Sequence, residues 1–311
     1  MSLKIKVGRI LSMLRFFVIY FLFLSFILPV QAKEIKIKNR DLILNANLNL
    51  VSGKSLADGV VLMAHGTLAH KDMEIMQSLQ TMLLERGVNN LAFNFSYGQT
   101  DRHGMNNCEG PHRQRVSDDF KEVMIWINWL KDNGVGPITL LGHSRGGNQV
   151  ARYIIKSPDS LVQNAVLVAP GTWKLGKDSS DYKKRYNKNL IPILRRAEAL
   201  IKVGQGNALL KNVDFMYCPQ TIVSANTFVD YYKSNPDRDT PSILSRSKVP
   251  VLVVAASDDK IVPNLSDKMK PYISPNVSLA IVQDAGHFFL DLFAEDLADV
   301  ILEYIQETIK R

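Results

Sequence analysis

Six short, nearly unbroken apolar runs constrain this chain most: residues 60–64, 91–93, 138–141, 165–169, 251–255 and 278–282. Runs of this length without polar alternation predict strands buried on both faces, as in a parallel sheet covered by helices. The stretches between them carry helical periodicity. Residues 73–85 place Ile75, Met76, Leu79, Met82 and Leu83 on one face, and residues 116–130 do the same with Phe120, Val123, Met124, Ile127 and Leu130. A last helix is expected over residues 290–309. Strands alternating with helices of this length predict a doubly wound α/β sheet. Ahead of it, residues 34–51 alternate polar and apolar side chains, which predicts two antiparallel strands at a sheet edge. Residues 171–247 break the rhythm. No good strand is read there, only helices over residues 189–202 and 224–233, so a helical cap inserted between core strands is expected.

The first 15 residues carry Lys4, Lys6, Arg9 and Arg15 and no acid, followed by an apolar run over residues 16–28 and then Pro29-Val30-Gln31-Ala32. That is the pattern of a secretory signal peptide, with cleavage expected after Ala32 and a periplasmic or secreted product. An uncleaved membrane anchor is the alternative, although a span needs about 20 apolar residues. The core is then expected over residues 33–170 and 248–311. The formal charge is +8 for the whole chain. It falls to +4 without the leader's cations, too mild to argue for nucleic acid. Lys183, Lys184, Arg185 and Lys188 read as a solvated helix face, with peripheral contact to an anionic envelope membrane as the sharper alternative. The chain has two cysteines, Cys108 and Cys218. In an exported protein such a pair reads as a disulfide, against two buried thiols.

After the run at 138–141 comes Gly142-His143-Ser144-Arg145-Gly146, then a helical stretch. This is G-x-S-x-G in a strand–turn–helix setting. Ser144 must occupy a sharp, strained turn, and the two glycines leave space where side chains would clash. A serine hydroxyl needs a base, and the base needs an orienting acid. Of the six histidines, His287 lies directly after the last strand, behind the small Ala285-Gly286 lead-in. For the acid, Asp258 and Asp259 both follow the strand at 251–255. The spacing to Ile261-Val262-Pro263 favours Asp259, and Asp284 is expected to be structural. The chain order Ser, Asp, His differs from the two other common triad orders. His103, Cys108, Glu109 and His112 share one loop, but their spacing fits no common ligand pattern and no metal is expected.

These motifs resemble those of the α/β-hydrolase-fold serine hydrolases, of the esterase and lipase kind, over most of residues 35–171 and 249–309. The resemblance implies a mostly parallel sheet of about eight strands, an acyl-enzyme on Ser144, and no cofactor. His65-Gly66-Thr67 is similar to that family's oxyanion loop, implying backbone donors at Thr67 or Leu68, the register being open, and at Arg145. Tyr97, His143 and Phe288 are expected to line the substrate pocket. In the cap, Phe215, Met216, Tyr217, Phe228, Tyr231 and Tyr232 either line an apolar pocket or pack the cap. The chain lacks the His-Gly-Gly-Gly run of one esterase branch, and it has Ala256 where glycine is usual. The expected substrate is a small-molecule or lipid-like carboxylic ester, with thioester or peptide as minor alternatives. A catalytically idle binding or accessory protein of the cell envelope is the reading from another class.

Overall fold

The computed structural model describes residues 32–309 apart from residue 158. The leader expected over residues 1–32 lies, Ala32 excepted, outside them. In chain order the first half runs β1 (Lys33–Asn39), β2 (Leu42–Asn49), β3 (Val60–Ala64), α1 (Glu74–Glu85), β4 (Asn90–Phe93), β5 (Pro111–His112), α2 (Val116–Asp132), β6 (Ile138–His143), α3 (Arg145–Lys156) and β7 (Val162–Val168). The insertion follows, with α4 (Lys177–Tyr186), α5 (Leu190–Lys202), β8 (Leu209–Phe215), β9 (Cys218–Ser224), α6 (Ala225–Tyr232) and α7 (Thr240–Leu244). The chain then returns through β10 (Val251–Ala256), α8 (Leu265–Met269), β11 (Val277–Val282) and α9 (Leu292–Ile309).

Eight strands form one sheet in the order β1-β2-β4-β3-β6-β7-β10-β11. The β1–β2 and β2–β4 pairings are antiparallel and the rest are parallel, as the patterning predicts. Alternation along β3 shows why its run is continuous. Val60, Leu62 and Ala64 enter the core on the side of α2 and α3, while Val61 and Met63 enter the core under α1 and α9. Strand β11 departs from the expectation of two buried faces. It is the last strand of the sheet, next to β10, and Ile281 is 42% exposed.

The cap is not purely helical, which corrects the expectation for residues 171–247. Strands β8 and β9 form an antiparallel pair, and β5 joins β9 in parallel. Their alternation is hidden because the register slips at Lys211/Val213 and again at Val213/Phe215, with Asn212 and Gln220 at positive φ. Each bulge moves the next side chain to the other face, so a period of two never accumulates. The sheet packs with α4, α5 and α6 around Leu210, Phe215, Phe228 and Tyr232.

Cys108 and Cys218 are joined in a disulfide that ties the loop after β4 to β9 across 110 residues of sequence. Thr221 Oγ1 also donates to the Cys108 carbonyl at 2.9 Å. Closing so long a loop restricts the unfolded chain, so reduction is expected to cost about 2–4 kcal/mol. Denaturant midpoints with and without reductant measure this, and equal midpoints would show that the bond contributes nothing.

Candidate active site

Ser144 sits between the carboxyl end of β6 and the first turn of α3, at φ 56° and ψ −120°. An L-residue rarely adopts that conformation. It is held there by the Ser144 N–H donating to Val168 O at 2.8 Å, and by its own carbonyl accepting from the Gly147 and Gly171 N–H groups at 3.0 Å each. The motif's glycines are required by close approach. A Cβ on Gly142 would lie 2.5 Å from Gly146 O, and one on Gly146 would lie 2.5 Å from both Ala64 O and His65 O.

The structure brings Ser144, His287 and Asp259 together at the carboxyl edge of the sheet, the edge where open α/β sheets place their sites. Ser144 Oγ is 2.9 Å from His287 Nε2, and His287 Nδ1 is 2.7 Å from Asp259 Oδ2. The other Asp259 oxygen accepts from the Ile261 and Val262 N–H groups at 2.7 and 2.8 Å. Burial works against the Asp259 carboxylate, but the bonds from His287 and these two amides hold its pKa below the ordinary value. It is therefore ionised at neutral pH and keeps the imidazole proton on Nδ1, leaving Nε2 to accept from the serine. Asp258 instead faces solvent in an ion pair with Lys260. Asp284 is exposed, and its N–H donates to Ser257 Oγ.

In the His65-Gly66-Thr67-Leu68 loop, the Leu68 N–H donates to the Tyr97 hydroxyl at 3.2 Å. Thr67 lines the cleft beside Ser144 and Arg145. Among the described residues, the Thr67 and Arg145 N–H groups donate to no protein acceptor. Both are thus available to a ligand oxygen, whereas the Leu68 N–H is taken by Tyr97. His65 is fully buried and accepts at Nε2 from the Phe95 N–H and Arg102 Nη2, which places its proton on Nδ1 towards Gly66 O. It supports the loop from beneath.

A cleft of about 1050 Å³ opens in front of Ser144, walled by Thr67, Arg145, Trp173, Tyr217, Tyr231 and Ile261 among others. Tyr97, His143 and Phe288 are not among the residues that wall it; Tyr97 lines a smaller pocket beside it, with Leu68, Arg145 and Tyr231. The Tyr97 hydroxyl accepts from the Leu68 N–H, and its ring lies under the Arg102 guanidinium, which is 5.0 Å from the ring centre. Successive side chains of a strand point to opposite faces, so His143 turns away from the cleft and under the base loop. Its Nε2–H donates to the His287 carbonyl at 3.0 Å. Burial, then the nearby His287, pushes its pKa down to about 3, so it is a neutral donor. Phe288 packs edge-on against the His287 ring. Of the six cap side chains, Tyr217 and Tyr231 reach the cleft, while Phe215, Met216, Phe228 and Tyr232 fill the cap's own core.

A buried polar network behind the site escaped the sequence reading. Asp119 and Glu122 lie on the core side of α2 with Val123, Trp126 and Ile127. Asp119 accepts from Arg145 Nη2 at 3.2 Å and pairs with Gln149, both on α3. Glu122 accepts from the Ser96 N–H at 2.7 Å and from its hydroxyl at 2.5 Å. The acids' three-residue spacing, in register with the apolar face, was the available signal. Burial pushes Glu122 up to about 7 from 4.5, against the pull of the Ser96 bonds. As pH rises between those values, the unfolded chain releases this proton before the folded chain does. Glu122 therefore withdraws stability as pH rises from about 4.5 to 7, by at most about 3 kcal/mol. Comparing urea midpoints with Glu122→Gln checks it: the parent should lose ground to the variant over that interval, and parallel curves would refute it.

Residues 59–294 match the profile of the alpha/beta hydrolase fold. The chain is similar to the structure of Est1E from Butyrivibrio proteoclasticus with ferulic acid bound, at 17% identity and TM-score 0.65 over 89% of this chain and 100% of that one. It is also similar to the monoacylglycerol lipase of Paleococcus ferrophilus, at 18% identity and TM-score 0.58 over 85% of this chain and 99% of that one. A shorter likeness, 34% identity over 68 residues, is to the poly(3-hydroxyalkanoate) depolymerase of Ectopseudomonas oleovorans. It covers 22% of this chain and about a quarter, 24%, of that relative's length. With the sheet order and the turn at Ser144, the match over residues 59–294 places this chain in the α/β hydrolase fold family.

Proposed function

We propose that this protein is a serine hydrolase of carboxylic esters. The observation that carries the reading is the continuous hydrogen-bonded series Ser144–His287–Asp259 on a strained turn beside an open cleft. In this mechanism His287 takes the Ser144 proton as Oγ attacks the ester carbonyl, and Asp259 stabilises the imidazolium that forms. The Thr67 and Arg145 N–H groups bind the oxyanion; each such donor contributes roughly 3 kcal/mol to transition-state stabilisation. His287 then protonates the leaving alcohol, and water, deprotonated by the same base, releases the acid from Ser144. The ferulic acid of one solved relative and the lipase name of another fit a small ester with an apolar part.

Export is the second part of the proposal, with the leader removed near Ala32. The Cys108–Cys218 disulfide supports it, because such bonds persist in oxidising compartments. N-terminal sequencing of the mature protein tests this, and a start at Met1 would refute cleavage.

Labelling by a fluorophosphonate probe, beside Ser144→Ala, tests the activity. Labelling that depends on Ser144 is expected. A folded parent that takes no label, and turns over no ester, would overturn the reading in favour of a binding protein.

A further inference from the structure

The cleft in front of Ser144 holds more positive charge than its own carboxylates balance. Five cations line it: Arg145, Lys174, Lys177, Arg238 and Lys268. Three are matched. Arg145 pairs with Asp119, Lys177 with Asp181, and Arg238 makes a two-pronged contact with Asp178 at 2.8 and 2.9 Å. Lys174 and Lys268 have no carboxylate within ion-pair distance among the described residues. Lys268 donates instead to two neutral oxygens, Thr172 Oγ1 at 3.2 Å and Pro263 O at 2.9 Å.

Those two oxygens fix where the ammonium sits. Thr172 follows Gly171, whose N–H holds the Ser144 carbonyl. Pro263 follows Val262, whose N–H holds Asp259. Lys268 therefore bridges the nucleophile's turn and the acid's loop along the wall of the cleft. Its pKa is lowered by burial first; the attraction of Asp239 opposes this, the repulsion from Lys177 and then Lys174 adds to it, and Asp259 opposes it least. Asp239, whose Oδ1 accepts from the Trp173 N–H at 3.0 Å, attracts Lys268 from beyond ion-pair distance, and one carboxylate cannot answer two ammonium groups. Apolar side chains complete the mouth, with Leu175 79% and Ile261 51% exposed. A concave wall concentrates the field of such charges on whatever enters.

We propose that the cleft selects esters bearing a second acid group, an ionised carboxylate, which Lys174 and Lys268 hold while an apolar chain lies against Leu175 and Ile261. The inference rests on the serine-hydrolase reading, because it names the substrate class of that same site. An ammonium is a compact point charge on a flexible stem, suited to attracting a carboxylate without demanding one geometry. Partly exposed pairs of this kind are each worth roughly a two- to fivefold change in affinity.

The test compares kcat/KM for monobenzyl adipate, which carries a free carboxylate, with that for benzyl hexanoate, by benzyl alcohol release at pH 8 and low salt. The parent should prefer the half-ester by about fivefold or more, and added salt should shrink that preference. Lys174→Glu, at an exposed position, should lower the ratio about tenfold, and Lys174→Gln with Lys268→Gln should bring it near unity. Lys268→Arg should restore it. A parent that favours the neutral ester, or a ratio that the charge substitutions leave unchanged while fluorophosphonate still labels Ser144, would overturn the charge proposal alone. Absence of both labelling and turnover would instead remove the serine-hydrolase reading beneath it.

Discussion

Ser144→Ala is expected to reduce ester turnover by about 10⁴-fold or more while the protein stays folded. Without Oγ no acyl-enzyme forms, and what remains is oxyanion stabilisation and binding at Thr67 and Arg145. A loss of 10⁴ corresponds to about 5.4 kcal/mol of transition-state stabilisation. The fold should tolerate the change, because the amide and carbonyl of residue 144 still bond to Val168, Gly147 and Gly171. His287 also keeps Asp259. Residues that act as one unit are not additive, so Ser144→Ala with His287→Ala should be about as slow as either alone. Steady-state rates with a thermal melt of each variant measure this. A Ser144→Ala protein with near-parental activity would sink the mechanism.

Gly146→Val is expected to have the largest effect on stability. Even its Cβ must fit where carbonyl oxygens of Ala64 and His65 stand 2.5 Å away. Backbone of a central strand cannot yield as the tip of a flexible side chain would, so α3 must move off β3. Overpacking of this kind costs about 1–3 kcal/mol or more, and here it also displaces the Arg145 N–H and Ser144. Gly286→Ala is the matched control. A Cβ there meets nothing within 4 Å, so a change within about 0.5 kcal/mol is expected. The small Ala285-Gly286 lead-in to the base loop is therefore not required by close packing at Gly286. Denaturant midpoints of the two variants decide the matter, and equal stability would refute the packing argument.

The contrast between these glycines shows which features are readable from a chain alone. Gly142, Ser144 and Gly146 were legible because a strand, a sharp turn and a helix follow one another locally. Strands β3, β4, β6, β7 and β10 were legible because burial on both faces leaves runs that no amphipathic element has. His287 and the aspartate pair could be placed at the sheet's carboxyl edge by chain order. Choosing Asp259 took only the spacing to Ile261-Val262, whose N–H groups do fold back onto that carboxylate.

Other features depend on partners distant in sequence. Tyr97 lines a small pocket beside the cleft, where its hydroxyl accepts from the Leu68 N–H 29 residues away. His143 stands next to the nucleophile, but its imidazole serves the His287 carbonyl across 144 residues. Strands β8 and β9 escaped notice because their bulges break the only periodicity by which a strand announces itself. Asp119 and Glu122 read as charges on a helix until α3 and the Ser96 turn close over them. By itself, then, the sequence determined the layered α/β architecture and pointed to Ser144, Asp259 and His287, since apolar patterning and local turn geometry are properties of neighbouring residues. Only the tertiary structure decided which backbone N–H groups are left without a protein acceptor in the cleft, which carboxylates are buried, and which lysines there lack an ion-pair partner. Those are fixed by contacts between segments whose separation along the chain carries no pattern.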